Sequence, residues 1–295
     1  MHDAAYYIQM LLSGVTVGSL YALIAIGYTM VYGILRLINF AHGDIFMMAG
    51  FFMVYISASC SLAVSIPLVL LLTVLLGVAI EKAAYKPLRT APRMSVMISA
   101  IGVSYLLQNL ATYVTGGLAQ AYPNIPWLRK EIALGSITVK RLAILTPLLT
   151  ILLVVALVLI IKHTKMGMAM RAVAKDFDTA QLMGIRIDRV ISITFVIGSL
   201  LAAVGSILYF SYIGQVSPTI GSMPGLKSFV AAVFGGIGSV PGAVIGSYII
   251  GICETFIKSN QDISIFSNAF TFALLIVILL IKPNGLFGEK LKEKV

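Results

Sequence analysis

Three side chains able to bind or orient a polar solute crowd one short stretch: Asn39, His42 and Asp44, in INFAHGD over 38–44, with Arg36 just before them. The stretch falls between two strongly apolar runs, LYALIAIGYTMVYGIL and IFMMAGFFMVYI. An ionised side chain in the middle of a lipid-facing helix costs about 2.5–3.5 kcal/mol on insertion scales. These residues are therefore expected at an interface or facing a cavity. Asn39 and Asp44 are also placed to cap a helix that starts at Gly43 or Ile45.

A second interruption lies at GGIGSVPG over 235–242, inside the apolar region 226–257. Leu226 to Gly238 is 13 residues, about 20 Å of helix, too short to cross a bilayer alone. Ala243 to Phe256 is of similar length, so the two pieces read as a hairpin of half-helices or one broken span. Backbone that leaves the helix at membrane depth is tolerated only where protein or a water-filled cavity satisfies it. Glycines alone would also serve close helix packing; Pro241, which removes a backbone donor, favours a break. Asn39, His42, Asp44, Gly235, Gly236, Gly238 and Pro241 are thus the expected lining of a translocation pathway.

Other polar residues have plainer expected roles. Glu81 and Glu254 stand near span ends, placed to reach the headgroups or to pair with Lys82 and Lys258. Gln108 and Asn109, inside an apolar run, suit interhelical hydrogen bonds. Cys60 and Cys253 lie far apart in apolar surroundings and read as small packing residues, not as a disulfide or metal site. No P-loop, dinucleotide, HExxH, CxxC or GxSxG pattern is present, so no enzymatic chemistry, cofactor or metal is expected. Any energy drawn from ATP must come from another subunit.

The elements that must position these residues follow from composition. Of 295 residues, 59% are hydrophobic and 11% charged, against roughly 25% charged in a soluble domain. The first apolar run, from Tyr6 to about Leu35, has no basic n-region and exceeds a signal-peptide core. The chain reads as one all-α integral membrane domain over 1–295, a polytopic helical bundle of about eight to nine transmembrane segments, some interrupted. Long spans are expected at 6–34, 62–81, 94–115, 142–161, 190–212 and 263–281, with a short Gly- and Met-rich run at 43–59. The formal charge of +10 gathers in short connectors, which fits the positive-inside rule and not a nucleic-acid groove. The connectors 82–93 and 162–189 and the tail, with Lys282, Lys290, Lys292 and Lys294, are then cytoplasmic, the N-terminus is periplasmic and the number of crossings is odd. Residues 117–141 fall outside, with Trp127 at headgroup level. GSLYA at 18–22 and GSLLA at 198–202 each open a span followed by a polar interruption and a short Gly-rich run, a two-half design of the kind that transporters use.

The connector KHTKMGMAMRAVAKDFDTAQLMGIRIDR reads as helical. Asp178 is expected to cap a short helix running to Met183, with Gly184 at its C′ position. Such an element either lies in the interface as a basic anchor or docks into a groove on a soluble partner, with Leu182 and Met183 as anchors and Arg171, Lys175 and Asp178 as the rim.

Three blocks, SLYALIAIGYTMVYGILRLINFAHGD, GMAMRAVAKDFDTAQLMGI and VFGGIGSVPGAVIGSYIIG, run in order from Ser19 to Gly251. With them the chain resembles the LivH-type permeases of the bacterial ABC importers for branched-chain amino acids. The resemblance implies a permease of the bacterial cytoplasmic (inner) membrane that pairs with a LivM-type permease, two ATP-binding subunits and a periplasmic substrate-binding protein that delivers leucine, isoleucine or valine. It also implies that the connector couples to the ATPases through Arg171, Ala174, Asp178, Ala180, Leu182 and Gly184. A self-sufficient ion-coupled carrier using Asp44, Glu81 or Glu254 is the alternative.

Overall fold

A computed structural model describes residues 4–89, 91–134 and 137–288. Met1–Asp3 and the tail lysines Lys290, Lys292 and Lys294, used above for orientation, lie outside the described residues. The bundle consists of α1 (Ala4–Leu35), α2 (His42–Ser57), α3 (Leu62–Ile80), α4 (Arg93–Thr115), α5 (Pro126–Arg129), α6 (Arg141–His163), α7 (Lys165–Lys175), α8 (Phe177–Leu182), α9 (Ile187–Ile213), α10 (Ser222–Gly235), α11 (Val240–Ser259) and α12 (Ser267–Ile281). Seven of the described helices are long and apolar enough to cross a membrane: α1, α3 as it runs on to Leu88, α4, α6, α9, α11 and α12 with the turn before it. Helix α1 forms the axis and packs chiefly on α11 and α9. One end of the bundle carries α7 and α8. The other carries β1 (Gln120–Ala121) paired with β4 (Gln215–Val216), and the hairpin of β2 (Glu131–Leu134) and β3 (Ile137–Lys140). The sequence shows no alternation strong enough to announce these short strands.

The six long spans expected from the sequence stand close to their predicted limits, and α2 is the short Gly- and Met-rich run. The seventh long helix is a correction. Helix α11 is continuous over 20 residues, with Pro241 in its first turn and Ser239 as N-cap accepting from Gly242 N at 3.3 Å. A proline there forfeits no helical bond, because first-turn donors have no intrahelical partner. Ala243 to Phe256 is therefore not a half-helix.

Helix α10, at 14 residues, remains short, and so does α2 at 16. Each follows a long helix and a non-helical leg. After α1 the chain turns at Arg36, whose φ is +52°, and residues 37–41 climb back among the helices. After α9 the turn falls at Gly214, φ +87°, and residues 217–221 lead into α10. Long helix, break, short helix, long helix thus occurs twice, as α1–α2–α3 and as α9–α10–α11, with the GSL echo inside the first helix of each and not at its start as expected.

The starts of the two short helices meet backbone to backbone. A Cβ on Gly43 would lie 2.7 Å from the Gly221 carbonyl oxygen, and one on Gly225 would lie 2.9 Å from Gly43 Cα. Only glycine permits this approach. The depth can be read along α1. The imidazole of His42 fills the space where a Gly27 side chain would stand, eight residues from the end of that helix and so about 12 Å inside it.

Candidate functional site

Asp44 is buried in the first turn of α2. Its Oδ2 accepts from Ser104 Oγ at 2.5 Å and its Oδ1 from Gln108 Nε2 at 3.0 Å, both on α4. Gln108 Nε2 also reaches Ser222 Oγ, at the start of α10, at 3.3 Å. Gln108 thus ties the starts of both short helices to α4. A negative charge in the first turn also complements the partial positive charge of the helix start. His42 packs edge-on against Tyr28, with ring centroids 4.9 Å apart, and its Nε2 is buried without a hydrogen-bond partner among the described residues. Asn39 accepts the Tyr85 hydroxyl at 2.7 Å, while its Nδ2 is buried without a partner among the described residues. Tyr85 ends a π-helical turn, Glu81–Tyr85, an irregularity frequent at functional positions.

The expected caps are corrected here. The N-cap of α2 is Ala41, with no side-chain cap. The Asn39 side chain is taken by Tyr85 and that of Asp44 by Ser104 and Gln108, so neither is free to turn back on the helix end. Asn39, His42 and Asp44 are all buried, but their side chains take different partners: Asn39 meets Tyr85, His42 meets Tyr28, and Asp44 meets α4. Gly235, Gly236, Gly238 and Pro241 stand elsewhere, in the turn between α10 and α11. Gly236 and Gly238 have φ of +111° and +98°, and a Cβ on Gly33, near the end of α1, would lie 3.7 Å from Gly238 Cα. The chain after α12 closes this turn: Leu286 N and Phe287 N donate to the carbonyls of Phe234 and Gly235 at 3.0 and 2.9 Å.

Two partners of Asp44 escaped sequence reasoning as site residues. Gln108 reads in the sequence only as a helix-contact residue, and nothing distinguishes Ser104 or Ser222 from the other serines of the chain. The outward face beside them is distinctive. On α4, Ile98, Tyr105, Leu106 and Tyr113 are exposed, Gly102 has open space beside it, and Asn109, also exposed, bonds only back to Tyr105 O of its own helix, at 2.7 Å.

A second polar cluster joins α1, α10 and α11. Lys227 Nζ and Lys258 Nζ each lie 2.6 Å from Glu254 Oε1, and Tyr21 donates its hydroxyl to Oε2 at 2.9 Å. The pairing of Glu254 with Lys258 follows the sequence reading; Lys227, a cation inside a short apolar helix, was the overlooked signal. Glu81 is buried too, but its partner is Arg89 and not Lys82, with Ser192 Oγ donating at 2.9 Å. Arg89 also pairs with Asp188, tying the 82–93 connector to α9. Of the cysteines, both free, Cys60 is exposed at the α2–α3 turn and so is not a packing residue.

The connector is two helices. Thr164 caps α7, accepting from Gly167 N at 3.0 Å. Asp176, two residues before the expected Asp178, caps α8 by accepting from Thr179 N at 3.1 Å. Its extended backbone, φ −155° and ψ 113°, fits a cap, whereas Asp178 is already inside the first turn. Gly184, at φ +80°, ends the element as expected, with Ile185 N bonding to the carbonyl of buried Ala180 at 3.1 Å. Arg171 is not a free rim residue: its Nη1 donates to the carbonyls of Ile161 and Lys162, closing α6. The carbonyl of Ala174 accepts from Arg36 at 3.5 Å. Leu182 and Met183 are 87% and 79% exposed.

Many spans around two short helices, with a polar constellation where those helices meet, are the build of a multi-pass membrane permease. Residues 10–279 match the family described as the branched-chain amino acid transport system permease component, and the chain belongs to that family. It is 40% identical to the high-affinity branched-chain amino acid transport system permease protein LivH of Salmonella typhimurium, over 98% of each chain. It is 39% identical to the permease protein BraD of Pseudomonas aeruginosa, over the full length of both. A probable LivH of Methanocaldococcus jannaschii is 26% identical over 97% of this chain and 94% of its own. No solved structure matches the chain.

Proposed function

We propose that this chain is a permease subunit of an ATP-binding-cassette importer of the bacterial cytoplasmic membrane, and that it moves leucine, isoleucine or valine into the cell. The observation that carries the reading is the meeting of two broken helices, α2 and α10, at Asp44, Gln108 and Ser222 on the edge of the bundle. A polar group at membrane depth is retained where it faces a partner or a water-filled path, and paired interruptions in two halves mark where transporters hold their solute. A LivM-type second permease covers the α4 face, so that the path runs between the two subunits. Asn39, His42 and Asp44 line it, and the turn at Gly235, Gly236, Gly238 and Pro241 acts as its hinge at the cytoplasmic end.

In this orientation the N-terminus is periplasmic, α2 and α10 with their legs complete nine crossings, and α7 and α8 are cytoplasmic. Leu182 and Met183 insert into a groove on one of two ATP-binding subunits. Arg171, Ala174, Asp178, Ala180 and Gly184 hold that helix at its angle, and a periplasmic binding protein delivers the amino acid. Movement of α8 on ATP binding reaches the path through Arg36, which links the Ala174 carbonyl to the leg before Asn39. Coupling of this kind needs the partner to favour one of two arrangements.

The test is uptake of labelled leucine by vesicles holding the whole assembly. Concentration of leucine requires internal ATP and external binding protein and survives an uncoupler. Uptake by this chain alone, or uptake that an uncoupler abolishes while ATP persists, would establish a carrier instead.

A further inference from the structure

Lys227, Glu254 and Lys258 lie apart from the path around Asp44. Two ammonium groups share one carboxylate oxygen, each at 2.6 Å, so the cluster carries one positive charge in excess. The two lysines differ. The Lys227 side chain is 5% exposed and pairs with no other carboxylate among the described residues, and a buried charge deprived of its partner is strongly unfavourable. It must keep Glu254. The Lys258 side chain is 56% exposed, and an ion pair with so exposed a member contributes little. Lys258 is therefore the exchangeable cation, and an incoming anion meets it without disturbing the pair behind.

Lys258 borders a cavity of about 510 Å3, within the range of roughly 300–1,000 Å3 that suits small molecules. Gln9 and Ser13 of α1, Tyr212 of α9, and Glu254 and Ser259 of α11 share its wall. Tyr6 and Ser259, in terminal turns, set its mouth at the strand-bearing end, away from α7 and α8. Its apolar wall is made by Met10, Val17 and the faces of Tyr6 and Tyr212, with Thr255 beside them, and suits one short aliphatic side chain.

We propose that this cavity is an entry site for a zwitterionic amino acid, held by its carboxylate on Lys258. Gln9 and Ser13 offer oxygens to its ammonium group, and Met10 and Val17 pack on its side chain. Glu254 stays locked to Lys227 and serves to position Lys258. The inference rests on the amino-acid substrate proposed above and adds a first stop before the Asp44 junction.

The test uses the assembled transporter in vesicles, with Cys60→Ser, Cys253→Ser and Ser13→Cys, and follows modification of the new thiol by N-ethylmaleimide. L-Leucine and isocaproate, which share the carboxylate, slow the modification about tenfold when present at about ten times their dissociation constants. Isoamylamine, which lacks the carboxylate, gives no protection. Adding Lys258→Met removes the protection, the rate with ligand being compared with the same variant's own rate without it. Equal protection by isoamylamine, protection that survives Lys258→Met, or a rate set by the anionic lipid content and not by leucine would each overturn the proposal. If leucine protects in no case while the parent assembly still imports it with ATP, the entry site fails and the importer reading stands; if import itself fails, that reading fails with it.

Discussion

Replacing Glu254 by leucine, Lys227 by methionine, or both gives an asymmetry that follows from who touches whom. Glu254 has three partners, Lys227, Lys258 and Tyr21, whereas Lys227 has one carboxylate, Glu254. Glu254→Leu strands a cation whose side chain is 5% exposed and leaves the Tyr21 hydroxyl without its acceptor. Breaking a buried pair from one side costs about 3–5 kcal/mol, a factor of about a hundred to several thousand in the folding equilibrium. Lys227→Met leaves Glu254 held by Lys258 and Tyr21, so its cost is about 1 kcal/mol, the worth of one hydrogen bond whose loss leaves no group unpaired. The double variant removes both charges from the interior and recovers most of the loss, because an apolar pair of similar volume often equals a buried ion pair. The assay is unfolding of the purified chain in mixed micelles as a denaturing detergent is raised, followed by helical circular dichroism. A Lys227→Met variant as unstable as Glu254→Leu, or a double variant no better than Glu254→Leu, would refute the reasoning.

Three further outcomes are expected. Gly225→Val places its Cβ 2.9 Å from Gly43 Cα, and forcing α2 and α10 apart costs about 1–3 kcal/mol; the chain still inserts, and ATP-driven leucine uptake is lost when measured in vesicles. Leu182→Glu with Met183→Glu changes stability by no more than about 0.5 kcal/mol, as at other exposed sites, yet ATP-binding subunits no longer co-purify with the chain. Asp44→Leu leaves the Ser104 hydroxyl without its acceptor and takes one of three from Gln108, and leucine uptake falls at least about tenfold, the equivalent of about 1.4 kcal/mol, whereas Asp44→Asn, which still accepts from Ser104, retains more of it.

The long spans were legible because length and hydropathy decide them: α1, α3, α4, α6, α9, and α12 together with the turn before it, each run to 18 apolar residues or more. The polar stretch at Asn39–Asp44 was legible as one kept out of lipid, because its composition has no place there, and its three polar side chains are buried inside the bundle. What stayed hidden depends on contacts between distant segments. Pro241 removes a donor, and whether that breaks a span depends on its being in the first turn of α11 or further along, which spacing alone does not fix. The cap of α8 fell to Asp176 and not Asp178 because one has extended backbone and the other helical. Gln108 and Lys227 acquire their meaning only once Asp44 and Glu254, 64 and 27 residues away, are seen to face them. The strand pair β1–β4 joins segments on either side of five helices, and two residues a side leave no pattern to read.

The central claim, that the exposed tip of α8 faces the compartment where ATP is hydrolysed, is tested most directly by the sidedness of thiol labelling. Cys60, exposed at the opposite end of the bundle, is a built-in reference for a Leu182→Cys variant. In intact cells an impermeant maleimide is predicted to label Cys60 and leave residue 182 untouched until the membrane is permeabilised. Labelling of residue 182 from outside, with Cys60 protected, would contradict the account.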